Sequence, residues 1–145
     1  MAAGGITARD EELHPAGEGR HWQESWYFNW ADERHGVFGL ARIGYRFHQR
    51  QIDGLVLTVR DGKPDYLYPA VNLSARDGFC GVSARDGLRA RKSCCRMEEP
   101  LKRWRIQLAG RNVMDLVWEA VTPVFDYHAS RRELPANVTG RHFEQ

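Results

Sequence analysis

His21-Trp22-Gln23-Glu24-Ser25-Trp26-Tyr27-Phe28-Asn29-Trp30 is the stretch whose reading decides the fold. Six of these ten residues are aromatic or His, and three of the chain's five Trp lie here. In an extended strand successive side chains point to opposite faces. One face then carries Trp22, Glu24, Trp26, Phe28 and Trp30, and the other His21, Gln23, Ser25, Tyr27 and Asn29. A row of four large aromatics has to be buried against a second layer. Glu24 stands inside that row, and a buried carboxylate needs a partner. Two readings compete: a core strand in which Glu24 pairs with Arg42 or another Arg at the mouth of a barrel, or the wall of a cavity for an apolar ligand.

The same alternation continues outward. Asp32-Glu33-Arg34-His35-Gly36 is a polar turn, and Val37 to Phe47 follows with an apolar odd face containing Gly39. Leu55 to Arg60 is a β-branched strand, and Asp61-Gly62 is a hairpin signal. Tyr66-Leu67-Tyr68 is stopped by Pro69. Ser74-Ala75-Arg76-Asp77-Gly78 recurs as Ser83-Ala84-Arg85-Asp86-Gly87, two Asp-Gly turns flanking a short strand. Leu88 to Arg96, Lys102 to Leu108 and Val113 to Val121 read as further strands, with Val138 to Phe143 as a last one. No stretch of about ten residues keeps a helical period. These segments predict an all-β, antiparallel protein of about eight strands. The aromatic strands and internal glycines point to a closed barrel. A two-sheet sandwich is the alternative, because both need the same alternation.

With 145 residues the chain is one domain by length. Residues 1–20, rich in Gly, Ala, Glu and Arg, predict a disordered lead-in to a single domain over 21–145. A net charge of +2 is too small to argue for nucleic acid. No run reaches the length of a membrane span, and no apolar segment marks a secretory leader. Cys80, Cys94 and Cys95 fit neither a disulfide framework nor a zinc spacing, which predicts reduced thiols and a cytoplasmic chain. Cys94 and Cys95 would face opposite ways in a strand, so at most one belongs to the core. The six His show no metal-ligand spacing, and no cofactor motif is present.

What remains for chemistry is a set of polar groups among aromatics. Glu24, Tyr27, Asn29, Arg42, Tyr127 and His128 are predicted to meet at one end of the barrel, with Trp26, Phe28, Trp104 and Trp118 lining it. Burial raises a carboxyl pKa, and a neutral Glu24 would protonate an alkene or hold a carbonyl. Asp126 and His128 share a face of a strand, but no nucleophile accompanies them.

Trp22-x-Glu24-x-Trp26-Tyr27-Phe28-Asn29, followed by Gly36-Val37-Phe38-Gly39, resembles the opening of the carotenoid 1,2-hydratase (hydroxyneurosporene synthase) and AttH-like family, nearest its actinobacterial branch. Leu101-Lys102-Arg103-Trp104-Arg105, Leu116-Val117-Trp118-Glu119-Ala120, Pro123-Val124-Phe125-Asp126-Tyr127 and His142-Phe143-Glu144-Gln145 also look like that branch. The resemblance spans about residues 21–145 and implies a lipocalin-like (calycin) β-barrel. Members typically have two such barrels and handle large apolar substrates, and this chain resembles the first. Three expectations follow. The chain binds an isoprenoid, lipid or polyketide in a barrel cavity; or it is a hydratase, cyclase or isomerase with Glu24 as acid; or it is a non-catalytic half that associates with a second barrel, including a homodimer.

Overall fold

The computed structural model describes residues 5–75, 78–79, 82–110 and 114–124 of the chain. Eight strands follow one another: β1 (Gln23–Asp32), β2 (Val37–Arg46), β3 (Gln51–Arg60), β4 (Lys63–Ser74), β5 (Leu88–Ala90), β6 (Ser93–Glu99), β7 (Arg103–Leu108) and β8 (Met114–Glu119). They form two four-stranded antiparallel sheets, β1-β2-β3-β4 and β5-β6-β7-β8. Each strand within a sheet pairs with its neighbour in sequence. The predicted all-β antiparallel class is therefore the one observed. The sheets do not join into a closed barrel among the described residues, since no ladder links β4 to β5 or β8 to β1. The predicted last strand, Val138 to Phe143, lies outside the described residues.

Local chemistry explains most boundaries. The β3–β4 hairpin turns at Asp61 (φ 49°) and Gly62 (φ 74°), the left-handed pair that a tight two-residue hairpin requires. The stretch Leu88 to Arg96 is not one strand. It is cut by a second tight turn, with Arg91 at φ 53°, into β5 and β6. Pro69 does not stop its strand. It sits in the middle of β4, opposite Leu55 of β3. β4 is an edge of its sheet, where a residue without an N–H costs no ladder bond.

The register aligns the inner faces. Trp26, Ile43 and Gly54 lie side by side across β1–β3, and Phe28, Ala41, Val56 and Tyr68 form the next row. On the second sheet Met97, Trp104 and Trp118 make one row, and Cys95, Ile106 and Leu116 another. The two faces pack into one core, with Trp104 and Ile106 at most 1% exposed. Phe28 meets Trp104 at 5.1 Å and Trp118 at 5.6 Å between ring centres, an aromatic cluster that spans the sheets. The sheets approach closely at Gly54, where a Cβ would stand 2.5 Å from the Cβ of Ala90. Tyr45 and Tyr68 of the first sheet accept hydrogen bonds at their hydroxyls from the backbone N–H groups of Arg89 (3.1 Å) and Lys92 (3.3 Å) of the second.

Both Cys94 and Cys95 are buried, although they point to opposite faces. Cys95 belongs to the core. Cys94 is outward, and the chain at Gly87 runs across its sulfur.

The outer faces differ sharply. The second sheet carries a ladder of ion pairs: Arg105 grips Asp115 with two bonds of 2.7 Å, Arg103 pairs with Glu119, and Arg96 with Glu98. The Arg105 guanidinium holds the Asp115 carboxyl below the usual carboxylate range. The first sheet's outer face carries an apolar patch beside Tyr27 and Arg42, with Phe38, Leu67 and Val71 exposed around half-buried Leu40, Leu55 and Leu57.

Composition predicts a disordered lead-in over residues 1–20. In the structure the stretch from Thr7 to Ala16 is tied down as a strap by carboxylates, which composition does not register. A short 3-10 turn (Ala8–Glu11) is capped by Thr7. Glu11 accepts from the indole N–H of Trp104 (3.2 Å) and from the backbone N–H of Leu101, while its own carbonyl accepts from the indole of Trp26 (2.9 Å). Glu12 accepts from the backbone N–H of Ala84 at 2.9 Å. The strap thus crosses from one sheet to the other over one end of the core.

Candidate functional site

The strap creates the site. It leaves the end of the core at Leu13-His14-Pro15-Ala16 and faces the β2–β3 turn and the segment before β5. Between them lies an open groove of about 550 Å³, walled by Leu13, Phe47, Phe79 and Val82, with His14, His48 and Arg50 at its edges. Its floor is aromatic because Phe79 stacks on Tyr45 at 5.0 Å and meets Phe47 at 5.0 Å. Burial pushes the Tyr45 phenol above its ordinary pKa, so it stays neutral under the groove. A second groove of about 350 Å³, lined by Gln49, Gln51, Asn72, Ser74 and Ala75, adjoins it, and Arg50 lines both.

Glu24 is paired, but not with Arg42. Its carboxylate accepts the backbone N–H of His14 at 2.9 Å, and its other oxygen is 2.6 Å from His14 Nδ1. With Glu24 as acceptor, Nδ1 carries the ring proton, which leaves Nε2 as the free nitrogen. Glu24 and His14 line a third pocket of about 220 Å³ with Glu11, Glu12 and Trp26, and His14 also belongs to the large groove. His14 is therefore the link between the carboxylate and the apolar walls. His48 Nε2 donates to the Gly17 carbonyl at 3.0 Å, which fixes the strap beyond the groove.

The predicted site residues do not converge on one cavity. Phe28, Trp104 and Trp118 face inward and fill the space between the sheets rather than line a hollow, while Trp26, also packed on the core, lines the small third pocket beside Glu24. Trp118 also donates its indole N–H to the Asn29 carbonyl at 2.8 Å, which joins β8 to β1. Tyr27 and Arg42 are paired neighbours on the opposite, outer face of the first sheet, with Asn29 beside them. Tyr27 is 57% exposed. Strand alternation separates these residues from Glu24, so they share no pocket with it. Tyr127 and His128, and Asp126 with them, lie outside the described residues. The groove residues that periodicity missed come from turns and the strap. The only signal for them was the placing of Leu13, Phe47 and Phe79 beside polar breaks.

Among the described residues no three His, Cys, Asp or Glu converge as a metal-binding group, and no helix is long and apolar enough to cross a membrane. Cys95 is chemically quiet. Burial, with Cys94 beside it, pushes its thiol from 9.0 to about 12. The neutral thiol is favoured in the fold, so this contribution to stability is complete below pH 9 and is lost as pH rises toward 12. Cys95→Ala should flatten the fall of stability between those limits, read as urea midpoints at pH 8 and pH 10.5. An unchanged slope would remove Cys95 as its source.

Neither a curated protein nor a solved structure matches the chain. A family model described as a domain of unknown function (DUF7064) matches residues 7–145, and the chain belongs to that family.

Proposed function

We propose that this domain binds a hydrophobic small molecule, an isoprenoid, lipid or polyketide, in the groove between the strap and the end of the core. The observation that carries the reading is the combination of a 550 Å³ volume with walls of Leu13, Phe47, Phe79 and Val82. Ligand sites are concave and mostly apolar, with a few polar groups at the rim. The interior between the sheets is occupied by Phe28, Trp104 and Trp118, so the groove is where a ligand has room. The resemblance to carotenoid 1,2-hydratases supports an apolar ligand and a calycin-like relation between the two sheets. A hydratase, cyclase or isomerase version of the same reading would draw its proton from the His14–Glu24 pair at the rim.

Retinol, a neutral isoprenoid alcohol, is a direct probe. Its fluorescence should rise and saturate with the protein. Val82→Asp should weaken binding at least about tenfold by placing a charge on the apolar wall. Retinol fluorescence that never saturates would end this reading.

A second reading is favoured by a separate observation, the apolar patch on the outer face of the first sheet. Exposed apolar patches of this kind mark interaction sites, and the ion-paired face of the second sheet shows what a solvated face looks like here. A half-protein that packs this face on a second barrel, or on its own copy, would cover Phe38, Leu67 and Val71. Light scattering that gives the 16.7 kDa monomer at high concentration would exclude the homodimer.

A further inference from the structure

Resting on the groove reading, we propose that the ligand is a single-chain amphiphile with an anionic head, a carboxylate above all, and that Arg50 recognises the head. The apolar groove and the smaller polar groove share Arg50 in their linings. On one side of Arg50 stand Phe47, Phe79 and Val82, which suit a hydrocarbon tail. On the other stand Gln49, Gln51, Asn72 and Ser74, which offer hydrogen bonds. A ligand that is apolar throughout uses only the first of these.

The charge of the two linings has one sign. Arg50 carries it; the two histidines of the linings are bound elsewhere, His14 to Glu24 and His48 to the Gly17 carbonyl, and no Asp or Glu lines either groove among the described residues. Several arginines of this fold are ion-paired, Arg46 with Asp53, Arg60 with Asp65, Arg85 with Glu12, Arg103 with Glu119 and Arg105 with Asp115, while others, such as Arg42, Arg89 and Arg91, have no such partner among the described residues. Arg50 makes no ion pair among the described residues. Its backbone is held in place: its N–H donates to the Phe47 carbonyl at 3.1 Å, and its carbonyl accepts from Ala75 at 2.8 Å. An Arg on an anchored turn, between an apolar and a polar surface, matches a carboxylate by its planar, two-pronged donor geometry. The ammonium of Lys would meet the same head as a point charge.

The test uses cis-parinaric acid, a fluorescent C18 polyene acid, beside its methyl ester, on the full chain. The acid should bind at least about tenfold more tightly than the ester, and its affinity should fall with salt. Arg50→Gln should remove that preference by weakening the acid and leaving the ester unchanged, while Arg50→Lys retains part of it. Circular dichroism of each variant checks that the strands persist. Equal binding of acid and ester, or an acid preference that survives Arg50→Gln, would overturn the head assignment and leave the groove reading standing. Failure of acid, ester and retinol alike would overturn both.

Discussion

Trp104→Ala should cost about 3–5 kcal/mol of folding stability, the range for removing a fully buried aromatic. Trp104 is 1% exposed on the second sheet's inner face, at the end of the core that the strap crosses. Three separate interactions meet on it. Its ring packs against Phe28 of the first sheet at 5.1 Å, it lies opposite Trp118 in the β7–β8 ladder, and its indole N–H donates to Glu11 of the strap at 3.2 Å. Alanine leaves a cavity between the sheets and leaves the Glu11 carboxylate short of a donor. Domains of this size have about 5–15 kcal/mol in total, so the variant should sit near the edge of folding. Urea unfolding followed by circular dichroism gives the number. Trp104→Phe, which keeps the ring but loses the N–H, should cost clearly less. If the two variants cost the same, the indole hydrogen bond rather than packing dominates.

Gly54→Val should have an effect of similar size, for the opposite reason. The added side chain would enter space already taken: its Cβ alone would lie 2.5 Å from Ala90 Cβ and 3.3 Å from Ser93 Oγ. Those atoms belong to the tight β5–β6 hairpin, whose backbone is also tied to Tyr45 and Tyr68. The second sheet cannot retreat without breaking those bonds. Overpacking commonly costs about 1–3 kcal/mol, and a branched residue at a backbone-to-backbone approach belongs at or above the upper end. Pairing Gly54→Ala with Ala90→Gly checks the mechanism, because the second change removes the methyl that the first collides with. The double variant should be more stable than Gly54→Ala alone. If Ala90→Gly only adds its own cost, the close approach is not what makes glycine necessary.

The candidate site was far less legible than the strands. Trp26 and Phe28 could be placed on one face, and Tyr27 and Asn29 on the other, because a period of two is a local property of the backbone. Glu24 could be recognised as a carboxylate needing a partner. The partner could not be named, because His14 lies ten residues back on a strap without periodicity. Arg42 was the natural choice by charge, yet Tyr27 is its neighbour across the β1–β2 ladder, on the face that Glu24 does not share. Phe47, Arg50 and Phe79 lie at turns and in loop, where alternation ends and spatial neighbours have no fixed spacing.

By itself, then, the sequence determined the class, most of the strands, and which side chains of each strand face the core. These follow from alternation and from turn residues such as Asp61-Gly62, which act over a few positions. Only the tertiary structure decided that the eight strands separate into two sheets, that aromatic rings fill the space between them, and that a strap of carboxylates crosses one end and leaves a groove. Those outcomes depend on how volumes fit between distant segments: Gly54 against Ala90, Phe28 against Trp104, Glu11 against Leu101. No local pattern encodes such fits, because each partner satisfies its own strand equally well whether the sheets close or part.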